Sequence, residues 1–217
     1  MYLDEWAVRR EISETGRRLY DLFLVAGNSG NISVRLNERE ILMTPTHVSK
    51  GNIALEDILK IAPDGRVLES LHGTKPSSEY RMHLAVYQHR PDINAVVHAH
   101  PPTATGFAVA GRGFERPFHP EIVVSTGPIP VVPYVPPGGD ELPESIVPYL
   151  SDHHALLLGN HGALTFAPTL RDALFAMEAV ELNARIFMTA YQLGNVNYLD
   201  DQQVAFLVDR YMPAAAR

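Results

Sequence analysis

The stretch KPSSEYRMHLAVYQHRPDINAVVHAHPP, residues 75–102, carries a helix signal, a strand signal and two closely spaced histidines. Apolar residues after Ser78 recur at helical spacing and predict a helix to His89, with Glu79 in its first turn. The apolar run INAVVHAH is typical of a buried strand, and the Pro101 that follows suits the first position of the next helix. The stretch therefore predicts a helix, a central strand and a second helix.

Three other stretches predict antiparallel hairpins. NISVRL and EILMTP form two short strands around the turn NERE, and HALLLGNHGALTF is typical of strand, tight turn and strand. In ILKIAPDGRVLE, Asp64 and Gly65 predict a two-residue turn, because glycine supplies the positive φ that such a turn needs. Long helices are predicted from the Asp4 cap to Gly27, from Leu170 to Leu193, and from Asp200 or Asp201 onward. This order predicts an α/β fold with a central, largely antiparallel sheet covered by helices on both faces.

The composition restricts the classes of protein that the chain can represent. With 217 residues, we expect a single domain over residues 1–217. The formal net charge of −7 argues against a general binder of nucleic acids or membrane surfaces, although a specific small anion remains a candidate partner. The chain has no cysteine, so disulfides and thiolate chemistry are excluded, and any metal must bind histidine or carboxylate.

The beginning of the sequence, MYLDEWAVRREI, carries acidic residues and no apolar core, which is not typical of a secretory signal. No run approaches the ~18 apolar residues that a membrane span needs. We therefore expect a cytoplasmic protein without a membrane partner.

His98 and His100 are two residues apart on a predicted strand, so they share one face with their Cα atoms about 7 Å apart. Two imidazoles at this spacing can converge on one ion, but the pattern is equally typical of two half-buried histidines bonded to backbone. His161 lies in a tight turn after another apolar strand and favours the metal site as a third ligand. Three histidines leave one coordination position open, which is the catalytic arrangement. The remaining histidines lack this context and are interpreted as ordinary core or surface residues: His72, His83, His89, His153 and His154.

Glu79 is the carboxylate that follows the PSS run at the start of its helix. An acid in this place complements the helix dipole, and Ser77 or Ser78 is a typical cap. The same carboxylate is also the natural partner of a histidine metal site, and the two roles are compatible.

Two short runs, GNSGN and KPSS, are rich in groups that bind an oxyanion. Gly30 permits a backbone in which successive N–H groups converge, and the serines lie at a helix N-terminus where free amides favour phosphate. Asn31 and Thr46 add side-chain donors. The alternative is an ordinary loop followed by helix caps.

Taken in order, the motifs SGNISVR, MTPTHVSKG, KPSSEYRMHLAVY, RPDINAVVHAHPP and LLLGNHGAL resemble the class II aldolase/adducin family over about residues 5 to 210. The resemblance implies a three-layer α/β/α sandwich, assembled as a homotetramer with active sites between neighbouring subunits. It implies a zinc enzyme, with Mn²⁺ or Co²⁺ as other candidate ions, in which Glu79 is catalytic and also touches the metal. The implied metal histidines are His98, His100 and His161. The implied phosphate pocket comprises Gly30, Asn31, Thr46, His47, Ser77 and Ser78.

The activity implied by the resemblance is cleavage of a ketose 1-phosphate, such as L-fuculose 1-phosphate, into dihydroxyacetone phosphate and an aldehyde. The reaction passes through an enediolate, and Glu79 is expected to carry its proton. The family also contains decarboxylases of phosphorylated sugar acids, pentulose-phosphate 4-epimerases and a methylthioribulose-phosphate dehydratase. A non-catalytic, adducin-like interaction module is the alternative from a different class, and that alternative predicts loss of the metal histidines.

Two features depart from the family pattern. His47 replaces the glycine that follows TPT in the fuculose-phosphate aldolases. The tyrosine that a neighbouring subunit contributes in those enzymes has no counterpart in ERPFHPEIVV, so Glu121 or His119 is the candidate for its role. The alternative is that this segment is a plain loop before a strand and has no catalytic role. Tyr211 matches a tyrosine of the family's C-terminal tail, or else it only packs that tail.

Overall fold

The computed structural model describes residues 4–212, which form one eight-stranded sheet flanked by helices. The helices are Glu5–Asp21 (α1), Tyr80–His89 (α2), Pro102–Val109 (α3), Pro120–Ser125 (α4), Glu141–Ile146 (α5), Leu170–Gln192 (α6) and Asp201–Tyr211 (α7). The strands are Asn31–Arg35 (β1), Ile41–Met43 (β2), Leu59–Ile61 (β3), Val67–Glu69 (β4), Ala95–Ala99 (β5), Val131–Val132 (β6), Ala155–Leu158 (β7) and Gly162–Ala167 (β8). Short 3-10 helical turns occupy Lys50–Asn52, Leu55–Asp57 and Val147–Tyr149.

The sheet has the strand order β4-β3-β2-β1-β5-β8-β7-β6. Every neighbouring pair is antiparallel except β6 and β7, which are parallel. Strand β5 lies between β1 and β8, and His98 is paired with Asn31 on one side and Leu164 on the other. The largely antiparallel sheet predicted from the hairpins is confirmed.

Two hydrophobic cores lie on opposite faces of this sheet. Alternate residues of β5 point to opposite faces, so Val97 belongs to one core and Val96 to the other. Helices α1, α3, α4 and α6 contribute buried residues to the first core, whereas α2 and α5 contribute to the second. The protein is thus a three-layer α/β/α sandwich, as expected. No helix within residues 4–212 is long and apolar enough to cross a membrane.

Several helix boundaries differ from the sequence predictions. Helix α1 ends at Asp21 rather than near Gly27, because Phe23 takes a left-handed backbone (φ 58°) in which a helix cannot continue. Pro102 rather than Pro101 is the first residue of α3, and Pro101 is its cap. Glu79 is the cap residue of α2 rather than part of its first turn, and its side chain makes no capping hydrogen bond.

Two loops also differ from expectation. The hairpin between β3 and β4 has a three-residue loop instead of a two-residue turn, because the Ala62 N–H donates to the Arg66 carbonyl at 2.8 Å. Gly65, with φ 86°, takes the left-handed position that closes such a loop. The segment ERPFHPEIVV does not precede a strand directly, because Pro120–Ser125 forms helix α4, with Pro120 at a favoured helix-start position.

Arg9 of α1 is fully buried and ties this helix to the edge of the sheet. Its guanidinium donates to Glu5 Oε1 and, at 2.8 Å, to Glu69 Oε1. It also donates to the carbonyl oxygens of Leu55 and Ile58, which precede β3. A buried cation with all of these acceptors is structural, since removing it leaves several of them without a donor.

We expect Arg9→Met to lower the free energy of unfolding by about 3 kcal/mol, because buried carbonyls and two carboxylates lose their shared donor. Urea unfolding measures this loss. Arg18→Met is the matched control on the same helix, since Arg18 is exposed and its ion pair with Glu178 is screened by solvent, so it contributes little to stability. Equal effects of the two substitutions would contradict the structural role of Arg9.

Candidate metal centre and anion loops

Three histidines converge at one end of the central strands. Their candidate ligand atoms all lie within 4.8 Å of one another, and the Nε2 atoms of His98 and His100 are 3.1 Å apart. The rings of His98 and His161 are separated by 4.7 Å between centroids. The spacing predicted from the H-x-H pattern and the later turn histidine therefore brings together a cluster that can hold a metal ion.

The orientation of His98 follows from its place in the sheet. Its ring is fully buried, and Nδ1 donates to the Ala163 carbonyl on β8 at 2.9 Å. The Nε2 lone pair therefore points to the cluster rather than to the backbone. Burial lowers the pKa of His98 to about 3 and also lowers the pKa of His100. Neutral rings with free lone pairs are the form that binds metals.

The turn between β7 and β8 places His161 beside His98 and His100. Asn160 has a left-handed backbone (φ 54°), and the His161 N–H donates to the Leu158 carbonyl at 3.0 Å. A side chain at Gly162 would come within 2.5 Å of the Ala99 carbonyl oxygen and 2.6 Å of the His100 ring. The glycine after His161 is therefore required, because only glycine lets the turn approach β5 this closely.

Glu79 faces the histidines from the start of α2. Its Oε1 lies 3.0 Å from His161 Nε2, and its Oε2 lies 3.4 Å from His98 Nε2. The Asn31 side-chain amide donates to Oε2 at 2.9 Å. Burial disfavours the charged carboxylate, but contacts with His98, His161 and Asn31 outweigh it and hold the pKa of Glu79 well below its usual range.

The four side chains fit a divalent cation. Two ligands of a tetrahedral zinc ion at Zn–N distances of about 2.0–2.1 Å are separated by about 3.3 Å, close to the spacing of the His98 and His100 nitrogens. Among residues 4–212, His161 Nδ1 is buried without a hydrogen-bond partner, and Glu79 Oε1 faces the His161 ring at 3.0 Å from Nε2. A carboxylate and three imidazole rings that converge in this way are a set of ligands that a divalent cation would satisfy.

Three loops meet beside this cluster, and we refer to residues 28–31, 46–50 and 75–78 together as the anion loops. Gly30 has φ 74°, and a side chain there would come within 2.9 Å of the His98 carbonyl oxygen. A bridge between Pro45 and Pro76 brings the second and third loops together. Within the described part of the chain, the backbone N–H groups of His47 and Ser78 have no hydrogen-bond partner. Free amides of this kind bind anions.

The other predicted residues of the anion loops differ in their exposure to solvent and in which of their hydrogen-bond donors are unused. Asn31 and Ser77 are buried, Thr46 is half-buried, and His47 and Ser78 are exposed. The Thr46 N–H donates to the Lys75 carbonyl oxygen at 2.9 Å, so the hydroxyl of Thr46, but not its backbone amide, is available to bind an anion. His47 has φ 60°, a conformation that costs little for glycine and more for other residues.

Lys50 is a residue of this region that the sequence analysis missed. It is only 1% exposed, and its Nζ donates to the Asn28 carbonyl at 3.1 Å and to the Val48 carbonyl at 2.7 Å. Within residues 4–212 no carboxylate forms an ion pair with it. Burial lowers the pKa of Lys50 to about 8. The only sequence signal was its place in the motif MTPTHVSKG, since a lone lysine is normally a surface residue.

The candidates for the neighbouring-subunit role lie apart from the cluster. Glu121 is exposed in the first turn of α4, and Tyr211 is 63% exposed at the end of α7. No hydrogen bond, ion pair or ring contact joins either residue to the histidines or Glu79 within the described residues. His119, the cap residue of α4, has a buried Nδ1 without a partner in the same range.

A second feature that the sequence analysis missed lies behind Asn31. His83, interpreted from the sequence as an ordinary histidine, is fully buried and bonds Asn31 Oδ1 through Nε2 at 2.5 Å. Its Nδ1 lies 2.7 Å from Ser33 Oγ, which lies 2.7 Å from the Tyr87 hydroxyl. We refer to Asn31, His83, Ser33 and Tyr87 as the buried network. Its members come from β1 and α2, so spacing along the sequence could not reveal it.

A sequence profile described as the Class II Aldolase and Adducin N-terminal domain matches residues 10–188. The chain therefore belongs to the class II aldolase and adducin family. The members to which it is similar are metal-dependent lyases, which confirms the expected family and the expectation of an enzyme.

Two curated relatives are equally similar to the chain. It is 32% identical over 210 residues to the 3-oxo-tetronate 4-phosphate decarboxylase of Escherichia coli K12, covering 94% of this chain and 96% of the relative. It is also 32% identical over 203 residues to the L-fuculose phosphate aldolase of the same strain, covering 93% of each. A solved L-fuculose 1-phosphate aldolase superposes with a TM-score of 0.88 at 31% identity, covering 94% of this chain and 96% of that one.

The depressed pKa of Lys50 has a consequence for stability. Between about pH 8 and its ordinary value of 10.5, the unfolded chain keeps the Lys50 proton while the folded chain releases it. The free energy of unfolding of the native protein should therefore rise relative to that of Lys50→Met as pH increases from 8 to 10. Urea unfolding of both proteins across pH 7–10 measures the difference.

Lys60→Met is the control for this experiment. Burial opposes the charge on Lys60 as well, but Glu5 and Glu40 pair with it and hold its pKa above 10.5. The stability that Lys60 contributes is fully present below pH 10.5, so its difference from the native protein should stay flat over the same range. A flat difference for Lys50→Met as well would contradict the buried, unpaired state of Lys50.

Proposed function

We propose that this protein is a metal-dependent lyase that cleaves a carbon–carbon bond of a phosphorylated hydroxyketone and releases dihydroxyacetone phosphate. The observation that carries the proposal is the Glu79 carboxylate, which lies 3.0–3.4 Å from the His161 and His98 rings beside loops with free backbone N–H groups. Such a site combines ligands for a cation, a proton carrier and donors for an anion. One domain, residues 1–217, contains all of these groups.

His98, His100, His161 and Glu79 are the proposed metal ligands. When bound, a divalent cation supplies the positive charge that stabilises negative charge developing on substrate oxygens. Nitrogen-rich ligands favour zinc over manganese, and Mn²⁺ or Co²⁺ remains compatible with the same four side chains.

Glu79 is the proposed proton carrier. Asn31 donates to one carboxylate oxygen, while the other faces the histidine cluster, 3.0 Å from His161 Nε2. After bond cleavage the electron pair remains on the carbon next to the ketone as an enediolate. Glu79, which is ionised in the free protein, takes up a proton from solvent and delivers it to that carbon, which completes dihydroxyacetone phosphate.

The anion loops are the proposed phosphate pocket, through Gly30, Asn31, Thr46, His47, Ser77 and Ser78. The backbone N–H groups of His47 and Ser78 and the hydroxyl groups of the loops would hold the phosphate without an arginine. The buried Lys50 ammonium joins the first two loops and adds positive charge behind them. Fixing the phosphate there fixes the position of the reacting carbon relative to Glu79.

The first candidate reaction is aldol cleavage of a ketose 1-phosphate of the L-fuculose 1-phosphate type. Similarity to L-fuculose 1-phosphate aldolase, with a TM-score of 0.88, supports it. In this reaction the bond between C3 and C4 breaks, and the hydroxyl on C4 must lose its proton to become an aldehyde. Glu121, His119 and Tyr211 are the proposed candidates for that proton transfer, supplied across a subunit interface of a homotetramer.

The second candidate reaction is decarboxylation of 3-oxo-tetronate 4-phosphate. Loss of CO₂ from C1 leaves the electron pair on C2 and produces the same dihydroxyacetone phosphate enediolate. This reaction needs no group to take a hydroxyl proton. The 32% identity to a decarboxylase over nearly the whole chain supports it equally.

We expect the zinc-loaded protein to release dihydroxyacetone phosphate from one member of a substrate panel, because both candidate reactions share that product. The panel contains the 1-phosphates of fuculose, rhamnulose and ribulose, together with 3-oxo-tetronate 4-phosphate. A coupled assay of dihydroxyacetone phosphate, with detection of aldehyde or CO₂, identifies the reaction. EDTA should abolish the activity, and Glu79→Gln should lower it by about 10²- to 10⁴-fold.

The control for Glu79→Gln is Glu178→Gln, which changes a half-buried carboxylate on α6 that pairs with Arg18. Aldehyde release would establish the aldolase and CO₂ release the decarboxylase. Metal binding without release of dihydroxyacetone phosphate from any substrate would refute both candidates and favour a pentulose-phosphate 4-epimerase.

A further inference from the structure

We infer that His83 is a positioning residue that fixes the direction of the Asn31 amide and, through it, the Glu79 carboxylate. The inference rests on the proposed function only in giving Glu79 the role of proton carrier. Its geometric basis is the buried network. Asn31 was predicted to belong to the site, whereas His83, Ser33 and Tyr87 were not.

The network forms one continuous path to the carboxylate. The Tyr87 hydroxyl lies 2.7 Å from Ser33 Oγ, which lies 2.7 Å from His83 Nδ1. His83 Nε2 lies 2.5 Å from Asn31 Oδ1, and Asn31 Nδ2 donates to Glu79 Oε2 at 2.9 Å. These residues belong to β1 and α2, with Glu79 at the cap of α2, so the path crosses from the sheet to the helix twice.

The carboxylate at one end determines the direction of every hydrogen bond. An ionised carboxylate only accepts, so Asn31 must present its N–H groups to Glu79 and its oxygen to His83. His83 must then carry its proton on Nε2 and accept at Nδ1 from the Ser33 hydroxyl. Ser33 Oγ can in turn accept from Tyr87. All donors therefore point toward Glu79.

Burial keeps this arrangement fixed. His83 and Ser33 are completely inaccessible, and Asn31 and Tyr87 are almost so. Burial lowers the pKa of His83 to about 4 and raises the pKa of the Tyr87 hydroxyl. Both groups are therefore neutral over the physiological range, and solvent does not compete for their hydrogen bonds.

Loss of the His83 donor would free the Asn31 amide to rotate by half a turn. Its oxygen would then face Glu79 Oε2, and two acceptors would repel each other where a donor now lies at 2.9 Å. The carboxylate would move or lose its fixed orientation while the three histidines stayed in place. Five of the six residues of the proposed phosphate pocket lie outside the buried network, so the effect of His83 should be larger on the proton-transfer step than on phosphate binding.

The test uses the zinc-loaded, full-length protein and two readouts. The first is exchange of a carbon-bound hydrogen of dihydroxyacetone phosphate for solvent deuterium, which requires only Glu79 and the enediolate. His83→Leu removes the donor, whereas in His83→Gln the amide nitrogen can take the place of Nε2. His89→Leu, an exposed histidine on the same helix, is the matched control.

We expect His83→Leu to lower kcat for exchange by about 10- to 100-fold, with a smaller change in KM and with zinc content within about twofold of the native value. His83→Gln should recover most of the rate, and His89→Leu should match the native protein. Equal rates for His83→Leu and the native protein would overturn the inference. Failure of His83→Gln to improve on His83→Leu would also overturn it, since the donor would not be what matters.

The second readout does not depend on activity. Nitrogen-15 NMR of the histidine side chains should show His83 as the Nε2–H tautomer, with that proton exchanging slowly with solvent. The Nδ1–H tautomer would overturn the inference even in an active enzyme. A protein with the expected tautomer but without exchange of dihydroxyacetone phosphate would instead refute the proposed function and leave the geometric assignment supported.

Discussion

Pairing of β5 with β1 on one side and β8 on the other positions the His98 and Asn31 side chains, on which the rest of the site is built. Asn31 lies opposite His98 across one pair, and the Ala163 carbonyl on the other side accepts the His98 ring N–H. A slip of one residue would turn His98 to the opposite face of the sheet, away from Glu79. The start of α2 then supplies Glu79, and the loops supply His161 and the anion-binding groups.

The position of Glu79 combines two opposing electrostatic effects. Burial alone would raise the pKa of its carboxyl, whereas the surrounding rings and the Asn31 amide favour the charged form. One oxygen accepts from the Asn31 amide, and the other lies 3.0 Å from His161 Nε2. The carboxylate is therefore oriented from the sheet by Asn31 while its second oxygen faces the histidine cluster.

The sequence predicted those site residues whose positions follow from short patterns of neighbouring residues. Alternation along β5 placed His98 and His100 on one face, and the glycine after His161 marked a tight turn. The central sheet followed from its hairpins for the same reason. Lys50 and His83 were missed because burial of a polar residue depends on partners distant in the chain. His83 meets Ser33 and Asn31 across 50 and 52 positions, and no periodicity records such a contact.

The boundary errors have equally specific causes. Helix α1 kept its apolar spacing beyond Asp21, but the left-handed backbone at Phe23 ended the helix, and that residue is 79% exposed. An exposed aromatic residue in a conformation that favours glycine conflicts with local preference, so the sequence alone gave no warning. Helix α4 was missed because a helix of six residues is too short to show a periodic pattern.

The equal similarity to an aldolase and to a decarboxylase has a chemical explanation. Cleavage of a ketose 1-phosphate and decarboxylation of a 3-oxo acid phosphate both leave the enediolate of dihydroxyacetone phosphate. The residues proposed to recognise the phosphate, to carry the proton and to hold the metal would serve both reactions, and they all lie on the central strands, at the start of α2 or on the adjoining loops. Only the leaving group differs, as an aldehyde or CO₂. The residues that distinguish the two reactions must therefore contact that group, and α4 and α7, which lie outside this shared framework, are where such residues are to be sought.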